Sequence, residues 1–376
     1  MRVRIGDICT TFSGFTPAAS DLFPEGKYPY FKVAEMNRAA NFRVMTETDS
    51  YVRESRKFFP KGSIVFPKNG AAIATNKKRI LGQDSIVDLN TGGVKANEKL
   101  VDTDYLFYLF KNIDFAQYMR RGAVPTLDIK GILALEIDLP SLSEQQHIVA
   151  ELDLLSSIVE KKKAQITTLD DLTQSIFNEM FGDPIANERG WDFKRLDEVA
   201  DIIGGATPKT QIEEYWTGDN CWVTPAELHK ERYQGATERK ISDEAVRKTN
   251  VTLLPVGTVL LSSRAPIGKV AITTVPMYCN QGFKNLVCSS ALNNEYAFQV
   301  LFSNTDYLNS LGTGATFKEI SKKTTEAIRI AIPPIKLQNV FAQKAKVIEN
   351  EKRMILSSLN KAEELLASRM DKYFSE

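Results

Sequence analysis

The sequence is nearly devoid of histidine and poor in cysteine. His147 and His229 are the only histidines among 376 residues, and Cys9, Cys221, Cys279 and Cys288 are scattered with no CxxC pair. Metal centres and disulfide frameworks need closely spaced or paired ligands, so neither a metal site nor a disulfide scaffold is expected. Reduced thiols in a cytoplasmic protein are the default reading. No run approaches the roughly 18 apolar residues of a membrane span, and Met1-Arg2-Val3-Arg4 leads into no signal-peptide core. Catalytic signatures are missing too. There is no GxGxxG, P-loop, HExxH or GxSxG, no PD…(D/E)xK arrangement and no Asn/Asp-Pro-Pro-aromatic segment. Glu213-Glu214, Asp243-Glu244 and Asp170-Asp171 are adjacent in sequence and point apart on a helix or strand, so they make no paired-carboxylate site. No catalytic residue and no cofactor is expected. The chain reads as a binder.

What is present is present twice. Arg4-Ile5-Gly6-Asp7-Ile8 and Gly14-Phe15-Thr16-Pro17 return 191 residues later as Arg195-Leu196-Asp197-Glu198-Val199 and Gly205-Ala206-Thr207-Pro208. Ala34-Glu35-Met36 returns as Ala226-Glu227-Leu228, and the stretch from Pro60 to Val65 returns from Pro255 to Leu260. Pro140 to Gln145 falls on Pro333 to Gln338, with the offset drifting only between 191 and 195. Two diverged copies imply a pseudo-two-fold molecule, suited to a partner with two related halves such as duplex DNA. The net charge of +1 hides an uneven distribution: +4 over residues 1–140, −5 over 141–189, zero over 190–332 and +2 over 333–376. A basic module beside an acidic helix is compatible with nucleic-acid binding by part of the surface.

Each copy divides into a mixed module and a long helix. Short apolar runs such as Ser63-Ile64-Val65-Phe66 between Gly, Pro and Asn predict strands and turns, with one helix at about 103–119 and its counterpart at about 294–309. Positions spaced alternately by four and three residues hold Ile148, Leu152, Leu155, Val159, Ile166, Leu169 and Ile176 in the first long segment. In the second they hold Phe341, Ile348, Ile355, Leu359 and Leu366; eight of ten such positions are apolar in each segment. Heptads this sustained predict a coiled coil, antiparallel if the two helices pair with each other. The modules would then be two reading heads held at a fixed separation. The expected fold is α+β: a strand-rich domain at 1–140, a spacer helix at 141–183, a linker and second domain at 184–332, and a second helix at 333–376.

These features together resemble the specificity subunit of type I restriction–modification systems, across nearly the full length. The resemblance rests on Leu139-Pro140-Ser141-Leu142-Ser143-Glu144-Gln145-Gln146-His147-Ile148, and on Met180-Phe181-Gly182-Asp183-Pro184 with Asn187, Gly190 and Trp191. It also rests on Trp222-Val223-Thr224-Pro225-Ala226-Glu227-Leu228, Ser263-Arg264-Ala265-Pro266-Ile267-Gly268 and Asn280-Gln281-Gly282-Phe283. The modules depart from each other. The first has Pro67-Lys68-Asn69-Gly70-Ala71 opposite Ser262-Ser263-Arg264-Ala265-Pro266, and Thr91-Gly92-Gly93 opposite Asn280-Gln281-Gly282. The resemblance implies two target-recognition domains, each reading half of a split asymmetric site, with the helices measuring the spacer. It implies as partners double-stranded DNA, two adenine-methyltransferase subunits and two motor-nuclease subunits. The alternative reading is a specificity-like DNA-binding or protein-scaffold subunit of a methylation-only or phage-defence system.

Phosphate contacts set position and base-edge contacts set sequence, so basic and amide residues in glycine-flanked turns are the candidates. In the first module these are Lys32, Lys68, Asn69, Lys77, Lys78, Arg79, Arg120 and Arg121. In the second they are Lys209, Thr210, Thr224, Arg264, Lys269, Lys284, Thr316, Lys318, Lys322 and Lys323. Lys161-Lys162-Lys163 reads as helix surface or a methyltransferase contact.

Overall fold

Strand-forming runs between Gly, Pro and Asn turns build the same sheets twice. The computed structural model describes residues 1–229, 231–264, 266–314 and 318–375. The chain divides into two units: Met1–Lys161 with the segment from Leu359 onward, and Lys162–Ser358. The first unit has a five-stranded sheet in the order Cys9–Ser13, Thr91–Ala96, Ile64–Pro67, Arg79–Leu81 and Val44–Met45. The second has Ala200–Gly204, Lys284–Cys288, Val259–Leu261, Val270–Thr273 and Tyr233–Gln234 in that order. In both, only the last pair is parallel. A three-stranded sheet also recurs: Tyr51–Val52, Tyr28–Phe31 and Ile86–Val87 in one unit, Lys240–Ile241, Asn220–Val223 and Tyr278–Cys279 in the other. The internal repeat read from the sequence is a repeat of topology and pairing sense.

The central strands explain why their sequence is a continuous apolar run. Both faces are covered, as in other fully buried strands. Ile64 and Phe66 face the cluster that contains Tyr105 and Leu106, while Val65 faces Phe31, Met36 and Leu81. Val259 and Leu261 likewise join Tyr296 and Phe298, while Leu260 joins Val223 and Leu228. The helix expected at 103–119 covers Thr103–Asn112 only, and Asp102 caps it by accepting from the N–H groups of Asp104 and Tyr105. Asp114 then caps a separate 3-10 turn at Phe115–Tyr118, which is why the apolar spacing overran the real end. The counterpart is also split, into Asn294–Ser303 and Thr305–Ser310.

The long helices are Leu142–Phe181 and Ile335–Phe374, of 40 residues each. At 1.5 Å per residue each is about 60 Å long. A repeated glutamine anchors each start. Gln145 donates to the carbonyls of Leu100 and Pro140 and accepts from the N–H of Asp102. Gln338 does the same with Ala291, Pro333 and Asn293. None of the twenty heptad positions from Ile148 to Met180 and from Phe341 to Tyr373 is exposed.

Within each unit the two helices lie side by side. In the first, Glu151 pairs with Arg369 at 2.9 Å and accepts from the Tyr373 hydroxyl, beside a cluster containing Ile148, Leu152, Leu366 and Met370. In the second, Asp170 meets Lys352 at 2.6 Å, while Phe177 and Phe181 pack on Phe341 with centroids 5.2 and 5.7 Å away. Rising numbers on one helix against falling numbers on the other make this pairing antiparallel. No helix among the described residues is long and apolar enough to cross a membrane.

Candidate nucleic-acid interface

At one end of the second unit's sheet, four loops converge. The first follows Ala200–Gly204, where the N–H of Ala206 donates to Cys279 O (2.9 Å) and the Thr207 hydroxyl bonds Gln281. In the second loop, after Asn220–Val223, both the N–H and the hydroxyl of Thr224 donate to Glu227 Oε2, at 2.9 and 3.1 Å. The third follows Val259–Leu261: Ser263 N–H donates to Gly282 O (2.7 Å), and Ile320 N–H donates to Ser263 O (3.0 Å). This last bond brings in the fourth segment, where Arg264 bridges to Glu319 through the backbone. The Arg264 guanidinium lies 3.6 Å from the Glu319 carboxylate, and the Lys284 ammonium lies 3.3 Å from both Glu319 Oε1 and Ser263 Oγ. The cluster therefore gathers the Arg264 guanidinium, the Lys284 ammonium, the Gln281 amide, the hydroxyls of Thr207, Thr224 and Ser263, and the carboxylates of Glu227 and Glu319.

The first unit repeats this framework bond for bond with other side chains. Phe15 N–H donates to Val87 O (3.0 Å), Lys32 N–H to Glu35 Oε2 (2.8 Å), Lys68 N–H to Asn90 O (2.8 Å) and Leu127 N–H to Lys68 O (2.9 Å). Asn69 bridges to Thr126 as Arg264 does to Glu319. Lys32 thus stands where the second unit has Thr224, Lys68 where it has Ser263, Asn69 where it has Arg264, and Thr126 where it has Glu319. Asp88 N–H donates to Phe31 O (3.0 Å) as Asn280 N–H does to Val223 O (3.2 Å). This corrects the sequence register: Asp88-Leu89-Asn90, not Thr91-Gly92-Gly93, is the counterpart of Asn280-Gln281-Gly282. The glycines misled the reading, because Gly92 and Gly93 belong to the strand Thr91–Ala96.

The predicted residues separate into two groups. Lys68, Asn69 and Arg120 gather at this end of the first unit; Arg120 lies in the strand that pairs with Thr126–Leu127 and meets Asp128 at 2.8 Å. Arg121 is exposed in the turn beyond Arg120, and Lys32 is exposed with its ammonium 5.9 Å from the Tyr30 ring centroid. Burial holds the Lys68 ammonium below the usual lysine value, with Asp88 opposing that shift.

Lys78 is a correction. It is 2% exposed, donates to Ile113 O (2.7 Å) and lies 3.8 Å from the Phe115 ring centroid. Burial pushes its pKa down to about 7, against the pull of Asp114. Arg79 turns inward to Met36 O (2.9 Å) and Lys78 O (2.8 Å), and Lys77 bonds Asn37. All three hold the turn at Val33–Asn37 or the chain near Ile113, Lys78 and Arg79 by donating to backbone carbonyls and Lys77 by donating to the Asn37 side-chain amide oxygen.

In the second unit Thr224, Arg264 and Lys284 meet in the cluster, and Lys318 is exposed beside it. Lys269 donates to Pro225 O (2.8 Å) and so braces the Thr224 loop from behind. Lys209 and Thr210 are exposed in the loop after Pro208. Lys323 is exposed on the helix Lys322–Ala327, where Lys322 meets Glu326 at 3.7 Å. Thr316 lies outside the described residues. Sequence reasoning passed over Thr16, Asn90, Thr207, Asn280, Gln281 and Glu319; the usable signal was the doubled Thr-Pro phrase, which holds Thr16 and Thr207, and the Asn280-Gln281-Gly282-Phe283 segment. Among the described residues, no group of three His, Cys, Asp or Glu side chains is placed to hold a metal ion.

The profile of the "Type I restriction modification DNA specificity domain" matches residues 1–168 and 188–362. The chain is 36% identical over 173 residues to the type I restriction enzyme MjaIX specificity subunit of Methanocaldococcus jannaschii, a match covering 44% of this chain and 40% of that protein. It is 23% identical to the MjaVIII specificity subunit of the same organism, over 93% of this chain and 85% of the relative. The chain thus spans less than half the length of the first relative and most of the second. Its fold is similar to the crystal structure of the type I restriction–modification system S subunit from M. genitalium. That match has a TM-score of 0.62 at 15% identity and covers 100% of this chain and 96% of the other.

Proposed function

The chain belongs to the type I restriction modification DNA specificity family, and on that premise we propose that each of its two modules reads one half of a split, asymmetric duplex sequence. The carrying observation is the pair of matched loop clusters: one hydrogen-bonded backbone framework bears Lys68, Asn69 and Thr126 in one copy and Ser263, Arg264 and Glu319 in the other. Side chains that differ on a constant framework are what reading two different half-sites requires, since base edges are told apart by donor and acceptor pattern. Asn69 suits the bidentate acceptor–donor edge of adenine and Arg264 the two acceptors of guanine. Lys32, Lys68, Arg121 and Lys318 are assigned in this reading to phosphate contacts that fix register.

The modules are residues 1–140 and 184–332; the helices 141–183 and 333–376 set the spacer and seat two adenine-methyltransferase subunits, which carry the chemistry. Motor-nuclease subunits complete the assembly, and this chain itself is non-catalytic. Sequencing modified adenines in DNA exposed to the assembled methyltransferase tests the proposal: a bipartite motif with a fixed gap is expected, and a single continuous motif overturns it. Arg264→Ala is expected to weaken binding by about 1–3 kcal/mol and to relax only the half-site read by the second module. Affinities for duplexes with single-base changes in either half check this, and relaxation of the other half would contradict it.

A further inference from the structure

Glu319 is out of place on a surface meant for a polyanion. Its carboxylate is 39% exposed beside Arg264 and Lys284, and a phosphate brought to those cations would be repelled by it. A structural use would excuse it, as Asp128 is excused: that carboxylate pairs with Arg120 and also caps the helix Ile129–Leu133 by accepting from Gly131 N–H. Glu319 has no such use among the described residues. Among the described residues its two oxygens meet only Lys284 (3.3 Å) and Arg264 (3.6 Å), and its backbone bonds would form with any side chain. Lys284 does not require it either, because its ammonium is also 3.3 Å from Ser263 Oγ. The counterpart of Glu319 in the first module is Thr126, and there the counterpart of Arg264 is the uncharged Asn69. The carboxylate occurs in the module that aims a guanidinium at DNA and is missing at the same place in the module that aims an amide.

We propose that Glu319 is a specificity gate for the second half-site. It holds Arg264 and Lys284 as internal pairs, and it releases Arg264 only when a base edge offers two acceptors in return. Against mismatched DNA the exchange fails: the guanidinium stays with Glu319, and the carboxylate adds repulsion from the phosphates. Discrimination then comes from suppressing the wrong complex as much as from favouring the right one. The first module lacks the carboxylate: among the described residues the Asn69 amide there is held only by neutral acceptors, Leu89 O (3.3 Å) and Asn90 Oδ1 (3.5 Å). The inference rests on the proposal that the modules read DNA.

The test uses the full chain and a pool of duplexes randomised across two half-sites and a spacer. Wild-type protein is expected to enrich a bipartite motif. Glu319→Gln should enrich the same first half-site but a flattened second one, its discrimination there falling about tenfold. The gain should come from tighter binding of mismatched duplexes, with the salt slope for these steeper by about one unit, as expected for one freed cation. Glu319→Thr, which installs the residue found in the first module, should behave alike and guards against an effect peculiar to glutamine. Weaker binding of the matched duplex with unchanged binding of mismatched ones would mean that Glu319 reads a base donor itself, and would overturn the gate. Equal selectivity in wild type and both variants would overturn it too. A wild-type chain that enriched no motif at all would instead sink the DNA-reading proposal.

Discussion

Arg232→Ala is expected to lower the stability of the second unit by about 3–5 kcal/mol near neutral pH, because it strips a buried carboxylate of its cation. Arg232 is buried, meeting Glu295 at 3.2 Å, Gln299 at 2.7 Å and Glu349 at 3.8 Å, with its guanidinium carbon 4.3 Å from the Phe298 ring centroid. Glu295 is 2% exposed and accepts from the Tyr233 hydroxyl (2.8 Å), so water cannot replace the lost partner. One side chain thereby ties the sheet edge, the helix Asn294–Ser303 and the second long helix together.

The deficit should depend on pH. Burial already holds the Glu349 carboxyl above the usual carboxylate range, despite Lys352 and Arg232 pulling it down. A carboxyl raised in the folded state contributes stability that is full below its unfolded value and fades as pH rises through the folded value. Without Arg232 the shift grows, so the variant should lose most at neutral and alkaline pH and recover toward wild type on acidification. Denaturant unfolding across that pH range measures this; a pH-independent loss below about 1 kcal/mol would refute the account. The counterpart, Arg43, meets Asp104 and Asp153, both at 2.7 Å, but its side chain is 33% exposed. Arg43→Ala should therefore cost less.

Gly205→Ala and Gly14→Ala should each abolish reading of one half-site and spare the other. A Cβ on Gly205 would lie 2.0 Å from Asn280 O and 2.4 Å from Cys279 O; on Gly14 it would lie 2.0 Å from Asp88 O and 2.7 Å from Val87 O. The obstacles are backbone, so the loops themselves must part. That movement carries Thr207 and Gln281 out of register in one module, and Thr16 and Asn90 in the other. Specific complexes exceed non-specific ones by about 10³ or more, and the altered half should forfeit most of that margin. Selection from the same randomised pool checks it: flattening of the opposite half, or of neither, would contradict the modular arrangement.

Much of this architecture was legible because it depends on period and repetition. The heptads from Ile148 and Phe341 fell only on positions turned from solvent in two 40-residue helices, although Phe177, Phe181, Ala342 and Met370 are buried as well and lie off that count. The doubled Gly14-Phe15-Thr16-Pro17 phrase pointed to a doubled loop, because only glycine fits against the Asp88 and Asn280 carbonyls. Charged side chains were harder. Lys78 and Lys269 look like phosphate binders in a list of residues, yet their ammonium groups serve backbone carbonyls across 35 and 44 residues of chain. Arg43 and Arg232 passed unnoticed because sequence alone gives no reason to bury an arginine. Glu319 was invisible for the opposite reason: an acid beside Lys318 looks like ordinary surface until Arg264 and Lys284 are seen beside it.

The first and last strands of each module pair with one another: Arg2–Arg4 with Glu136–Asp138, and Asp192–Arg195 with Arg329–Ile332. The polypeptide therefore enters and leaves a module at one place, immediately before a long helix begins. The buried glutamine at that seam, Gln145 or Gln338, bonds only main-chain atoms of the module and of the helix approach, and these are present whatever side chains a module carries. Each module is in this sense a cassette. Recombination at two crossover points could graft a foreign one onto the same helical frame without remaking the joint. New reading preferences in such proteins would then arise by shuffling whole cassettes, faster than point mutation could rework either cluster.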